Sequence, residues 1–444
     1  MLSHSSRGPV RWLLVKEWRD LVSSRAWWVL VALIGPLVGV MFTNAVRTYA
    51  EVSDGAGAGC GAVCDPLIGI WGPTLGAYEI AAIFLLPFVA IRLVAGDRQS
   101  GALKFELQRP MSDVARLAIK LCVLVAGCGV AGIAALVAAG LWLSYGGTVY
   151  WPEFAIAMLG HVLNASLTIA VATVAATVTE HPSTAAIVTL AITVGTWILE
   201  FAAAIRGGVW EALAQFTPSA MVADFQHGLL SASALLVAIV LVTGALFAGA
   251  AWLKLGEAPR RRLLTSTAIA GVTFAVALVA ARVPGHWDAS EARLNSFPVA
   301  DEETLESIAR PIRIEAHLAP EDPRRLDLER HAIAKLKRAV PTVQVTFVSR
   351  TSSGLFEQSD AAYGEIRYEV GARRVIGRAT TEEAVLEAIF EAAEVEADAK
   401  EAPGFMGRPL VTSPRGAALA FYGVWPALAA LAAWRATKQH APGR

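Results

Sequence analysis

Long apolar runs alternate with short polar segments over most of this 444-residue chain. Eight runs reach the roughly 20 residues that a helix needs to cross a bilayer. They lie near 26–44, 76–95, 119–145, 154–178, 184–205, 231–253, 263–283 and 415–434. The third is long enough to tilt. Between 284 and 414 the pattern shortens. PIRIEAHL at 311–318 alternates like a strand, and Leu328, Ile333, Leu336 and Val340 keep helical spacing. VQVTFV at 343–348 reads as a strand. EIRYEV at 365–370 and RRVIGR at 373–378 flank Gly371-Ala372 as a hairpin. Residues 380–393 return to helical spacing, with Thr380 as the expected cap and Glu383 three residues on.

The expected fold is therefore a mainly α membrane protein. It is a polytopic bundle of about eight transmembrane helices, with a small extracytoplasmic α/β domain of order β-α-β-β-β-α before the last span. The expected boundaries are an amphipathic connector helix (1–25), six spans (26–253), a basic linker and seventh span (254–283), the α/β domain (284–414), and the last span with its tail (415–444).

Composition agrees, at 55% hydrophobic and 17% charged, where soluble domains are less apolar and nearer a quarter charged. Formal net charge is zero, so nothing points to nucleic acid; charge position is the informative quantity. Lys and Arg gather in 1–25, in 92–120, at Lys254 with Arg260, Arg261 and Arg262, and in the tail. The 45–75 loop has only Arg47, and 146–153 has no cation. Basic flanks favour the cytoplasmic side, which puts both termini inside. In the opening segment Val10, Leu14, Trp18, Leu21 and Val22 share a helical face that Arg11 and Glu17 blur, as in a helix lying on the membrane surface.

Residues 92–120, RLVAGDRQSGALKFELQRPMSDVARLAIK, form a charged segment between two spans. Gly101, Pro110 and Ser112-Asp113 divide it into two short helices, with Ser112 or Asp113 as the second cap. An ordinary membrane-flanking loop is one reading of it; a contact surface is the other.

Cys122 and Cys128 fall within an apolar run and are expected to be buried. For Cys60 and Cys64, in a Gly-rich loop, a disulfide and free thiols are both open. No phosphate-cradling G-x-x-x-x-G-K-[ST] occurs, nor H-E-x-x-H or G-x-S-x-G, so no catalytic, cofactor or metal residue is expected. His317 and His331 are expected on solvated surface. His161, Asn164 and Thr168 recur along the fourth span; they hydrogen-bond between helices or line a substrate path. Glu79 and Glu200 stand at outer span ends. Gly127, Ala131, Ala135 and Ala138 give the third span a small-residue stripe, for packing within the chain or between two subunits. Residues 207–230 are too broken to span and too apolar for an open loop, which suggests either two short helices dipping into the outer leaflet or one amphipathic surface helix.

LLVKEWRDLVSSRAWW, DRQSGALKFELQRPMSDVARLAIK and residues 207–230 together resemble the permease subunit of ABC transporters of the type-2 exporter class. They correspond to its surface connector helix, its cytoplasmic coupling region (Gly101, Leu103, Pro110 and Lys120 in order) and its outer helices. Asp97 stands where Glu is usual and Ala102 where Thr is usual. The stretch from NSFPVADEETLES to VPTVQVTFV is similar to extracytoplasmic domains of gliding-motility-type auxiliary ABC components. The resemblance implies a multi-pass protein of the bacterial inner membrane, paired with a cytosolic ATPase that binds the ATP. It also implies a second permease, identical or related, a cargo or extracytoplasmic protein at 284–414, and surrounding lipid. Asp97, Arg98, Gly101, Leu103, Glu106, Arg109, Pro110 and Arg116 would make the ATPase contact. The alternative is a membrane-anchored assembly or sensor subunit whose ectodomain recruits a partner. An intramembrane enzyme is disfavoured by the missing catalytic pairs.

Overall fold

The computed structural model describes residues 7–56, 60–206, 209–214, 216–254, 256–308, 310–319, 322–340, 342–348, 362–395 and 405–439. The chain divides into two compact units. One comprises 1–200, 213–287 and 407–444; the other comprises 201–212 and 288–406.

The first unit is helical. Among the described residues seven helices are long and apolar enough to cross a membrane: Arg25–Gly55, Leu67–Gln99, Asp113–Ser144, Trp151–Val178, Pro182–Ala203, Ala232–Leu253 and Pro259–Ala280. The first two run well beyond their apolar runs, so most of the expected 45–75 loop is helix. The eighth expected span, 415–434, is helical as Leu419–Val424 and Trp425–Gln439 but is not among the seven. Tyr422, Gly423, Trp425 and Pro426 dilute its apolar stretch, and Arg435 cuts it short. This helix seats in the first span through two glycines. A Cβ on Gly35 would lie 2.1 Å from Trp425, and one on Gly39 would lie 2.5 Å from Phe421. Trp425 Nε1 also donates to Val31 O at 2.6 Å.

The third span is two helices, Asp113–Ala131 and Ile133–Ser144, parted at Gly132. Tyr78 of the second span fills the break: its hydroxyl donates to Ala131 O at 3.0 Å and accepts from Ala135 N at 3.1 Å. A side chain inserted into the backbone ladder is a recognised cause of a kink. The small-residue stripe is used inside the chain. Gly127 faces Leu21 and Trp27, and Ala131, Ala135 and Ala138 are buried, so no stripe remains for a subunit contact. Cys122 is exposed and Cys128 half-buried; the expected burial of both was set by the apolar run and overlooked which face they take.

Two short helices, Val209–Ala214 and Pro218–Gln226, follow the fifth span in sequence. The second is held at both ends by carboxylates of the spans. Glu200 accepts from Ala220 N at 3.0 Å and from the capping Thr217 hydroxyl, and Gln226 donates to Glu79. Both carboxylates, picked out in the sequence as standing at span ends, thus cap and clasp this helix. Cys60 and Cys64 form a disulfide, their Cα atoms 5.5 Å apart. Tyr49 donates to both Cys64 O (2.6 Å) and Arg408 O (2.8 Å), and Arg408 N donates to Cys64 O at 2.9 Å. The disulfide loop thus fastens the chain entering the last helix.

The second unit is a four-stranded sheet with helices on one face. Its order is Gln344–Phe347, Ile312–Ala316, Ile366–Val370, Arg373–Gly377; the first pairing is parallel and the others antiparallel. Register puts Ile312, Ile314 and Ala316 opposite Val370, Tyr368 and Ile366, all buried. They pack against Leu328, Ile333 and Leu336 and against Val385 and Ile389 of helix Glu382–Ala393. Alternation sends Arg313, Glu315, Arg367 and Glu369 to the other face, where Arg367 meets Glu315 at 3.0 Å. The expected β-α-β-β-β-α order is present, preceded by one further helix, Val299–Ser307. The last helix caps at Thr381, one residue late, while Thr380 donates to Asp327 at 3.0 Å. His317 is buried, contrary to the expected solvated position; alternation puts it on the same face as Glu315, and its Nε2 lies 2.8 Å from Glu315 Oε1. Residues 396–404, at the end of the α/β domain, lie outside the described residues.

Candidate functional site

At one end of the helical unit the opening helix Arg7–Ser23 meets the close of the second span, the short helix Ala102–Leu107 and the start of the third span. Five charged side chains converge there. Lys16 Nζ lies 2.7 Å from Asp97 Oδ1, 2.6 Å from Glu106 Oε1 and 3.0 Å from Glu17 Oε1. Lys120 Nζ lies 2.5 Å from Glu17 Oε1, bonds Asp97 Oδ2 and stands 3.9 Å from Glu106 Oε2. Glu17, Lys120, Asp97 and Glu106 are all buried, Glu17 completely. Glu17, one of the two residues that blur the amphipathic face, is thus the side chain that docks the helix.

Local sequence explains the approach. Gly101 takes φ +77°, a left-handed turn that L side chains rarely adopt, and so folds Ala102–Leu107 back toward the opening helix. Nothing stands within 4 Å of a Cβ built there, so Gly101→Val tests backbone strain alone. It should cost about 1–2 kcal/mol, seen as a lower melting temperature of the detergent-solubilised protein; an unchanged melting temperature would rule out the strained turn. Ser112 caps the third span by accepting from Ala115 N at 3.3 Å, as expected. Arg98 donates to Thr179 O at 2.6 Å and Thr177 O at 2.9 Å, satisfying free carbonyls at the end of the fourth span. Arg116 bonds Asp113 and donates to Arg109 O at 2.8 Å.

Three buried carboxylates share two ammoniums, and a fourth, the exposed Asp20, lies 3.3 Å from Lys16 Nζ. Burial raises the pKa of Glu17 against the pull of Lys120 and Lys16. Burial would lower Lys16, but Glu17 and the bonds to Asp97 and Glu106 outweigh it and hold its pKa above the usual lysine range. A lysine raised on folding contributes stability that is complete below its unfolded pKa of about 10.4 and fades as pH rises above it. The melting gap between wild type and Lys16→Met should therefore hold steady from neutral pH upward and narrow only above about pH 10.4. A gap that closes at neutral pH would contradict this. Glu17, Asp97 and Glu106 have oxygens close enough together to ligate a cation. Two ammoniums already stand among those oxygens, so the arrangement reads as an ion-pair network.

Of the eight residues expected to make the contact, Asp97, Leu103, Glu106 and Arg116 are buried. They build the platform and do not form its surface. Arg98 and Gly101 are half-buried, and Arg109 and Pro110 are exposed. Beside them lie exposed Lys104, Gln108 and Phe105, the last with 72% of its surface free. Arg109 stacks on Trp12, 3.5 Å from the ring centroid, which joins the opening helix to the same surface. Phe105 and Trp12 were not singled out from the sequence, while Glu17 entered only as a charge blurring the amphipathic face and Lys120 only through the resemblance. An aromatic within a charged segment was the available signal for Phe105.

His161, Asn164 and Thr168 are buried on one helix. His161 lines a small cavity of about 50 Å³ with Tyr78, Cys128 and Met158, and neither ring nitrogen has a hydrogen-bond partner. No hydrogen bond therefore joins His161 to another helix, against one of its two expected roles. No protein-family model, curated protein or solved structure matches this chain.

Proposed function

We propose that this chain is the membrane-spanning permease subunit of an ABC transporter of the type-2 exporter class. It would lie in a bacterial inner membrane with eight spans and both termini cytoplasmic. The observation that carries this reading is the buried ion-pair network of Lys16, Glu17, Asp97, Glu106 and Lys120. It locks a surface helix and a two-helix polar segment to the inner ends of the second and third spans. Such a block can receive a push at its exposed face, Trp12, Lys104, Phe105, Arg109 and Pro110, and pass it to two spans together. A separate cytosolic ATPase supplies the push, and a second permease completes the pathway. A partner moves the equilibrium between two arrangements only by binding them unequally. The charged sheet face of the second unit offers cargo or an extracytoplasmic protein a polar surface.

The test is co-purification. The detergent-solubilised protein should carry a nucleotide-binding chain, and cells should lose transport when Arg109 is changed to Glu. A preparation without that chain, together with intact function in Arg109→Glu, overturns the permease reading in favour of a membrane-anchored assembly subunit. Orientation has its own check. Two of the four cysteines are bonded. A maleimide-polymer gel shift on denatured, unreduced protein should therefore show two additions, rising to four after reduction. Four additions before reduction would argue against an oxidising compartment for the Cys60–Cys64 loop.

A further inference from the structure

The sixth and seventh spans, Ala232–Leu253 and Pro259–Ala280, cross closely: a Cβ on Gly244 would stand 2.2 Å from Thr273 Oγ1. Beside that crossing they leave an open groove of about 500 Å³, lined by Ile239, Thr243, Phe247, Thr265, Ile269 and Val276 among others. Its walls are hydrocarbon apart from threonine hydroxyls. Along the seventh span the lining runs from Thr265 to Val276. Eleven steps of about 1.5 Å give roughly 16 Å, close to half of the roughly 30 Å hydrocarbon thickness. The groove is one leaflet deep.

Its end is basic. Thr265 Oγ1 donates to Arg261 O at 2.9 Å, so the arginines begin one turn beyond the groove. Arg260 and Arg261 are exposed. Arg262 donates to Lys254 O at 2.6 Å, while its Nε is buried with no partner. Glu257 lies 3.8 Å from Lys254. Among the described residues none of the three arginines makes an ion pair.

We propose that this groove is a binding site for an anionic phospholipid, with one acyl chain against Thr243, Phe247 and Ile269 and the phosphate on Arg260, Arg261 and Arg262. The inference needs only that these helices span a membrane; it does not depend on the transport reading. Lipid fits both parts of the site, since it combines a chain one leaflet long with a charged head at its end. Each arginine near an anionic lipid surface contributes enough that losing two weakens binding about thirtyfold.

The full-length protein should be reconstituted in vesicles of equal phosphatidylglycerol and phosphatidylethanolamine, gently extracted and weighed by native mass spectrometry. Wild type should retain phosphatidylglycerol. Arg260→Gln/Arg261→Gln, changed only at exposed positions, should retain about thirtyfold less. Thr243→Trp, which fills the groove and spares the arginines, should also lose it. Equal retention of the two lipids by wild type overturns the proposal. So does wild-type retention by the double arginine variant, or a groove occupied by a second copy of the chain in lipid-free dimers.

Discussion

Lys120→Met should lower stability by about 3–5 kcal/mol, the usual cost of breaking a buried ion pair from one side. Lys120 is only 1% exposed and bonds Glu17 and Asp97. Its loss leaves Lys16 alone to serve three carboxylates whose oxygens have little access to water. The effect comes mainly from stranded charge, and it should therefore be repaired by removing charge. Asp97→Asn added to Lys120→Met should recover more than half of the loss, a non-additivity expected of residues in one network. The apparent melting temperature of the detergent-solubilised protein reads both: a fall of roughly 10 °C for the single variant and a partial return for the double. A loss below about 1 kcal/mol, or two effects that simply add, would mean that the five groups do not act as a unit. Replacing all five by well-packed apolar residues is a different experiment and can be neutral, because desolvation offsets much of the attraction within a buried network.

If the proposed ATPase contact is made, Phe105→Asp should do the opposite, leaving the melting temperature unchanged while releasing that nucleotide-binding partner. Phe105 is mostly solvent-exposed, so its removal costs little packing. An aromatic surrounded by Lys104, Gln108 and the stacked Arg109–Trp12 pair has the composition of an interface anchor. Such anchors are typically worth 2 kcal/mol or more, so affinity for the nucleotide-binding chain should fall about thirtyfold. Lys104→Ala, at the rim, should change it by less than about threefold. Phe105→Asp protein that still co-purifies with the ATPase at wild-type yield would remove Phe105 from the contact. Together the two variants separate the platform from its face: Lys120→Met acts through folding and Phe105→Asp through association.

Much of the membrane unit was legible in the hydrophobic pattern because the cause is local. Twenty apolar residues in a row leave the backbone little choice but a helix. The eighth span shows the limit, since its alanines, aromatics and Pro426 satisfy a pattern without the hydropathy of the other seven. In the second unit, period-two alternation located each strand, and Gly371 marked the hairpin. The candidate site was legible only as a segment. Its basic character, Gly101 and the Ser112 cap are written locally. Burial of Asp97 and Glu106 is not, because it depends on Glu17 and Lys120, 103 residues apart. A charge on an amphipathic face looks like noise until a complementary charge is placed opposite. Glu17 is the instance here, and His161 is the converse, a polar residue with a hydrogen bond across helices as one of its two expected roles that makes no hydrogen bond.

The Tyr78 hydroxyl at Gly132 gives the third span an elbow. A helix with an unbroken ladder tilts as one rod, and bending it sacrifices hydrogen bonds. Here the bonds at the break are already made to a phenol, from Ala131 O and Ala135 N. Because a hydroxyl accepts and donates on a rotatable axis, the angle between the two half-helices can change while both bonds persist. The half Asp113–Ala131 carries Lys120 and the half Ile133–Ser144 carries the packed alanines Ala135 and Ala138. A displacement entering at the Lys120 half is therefore divided at this joint between rotation there and motion of the other half.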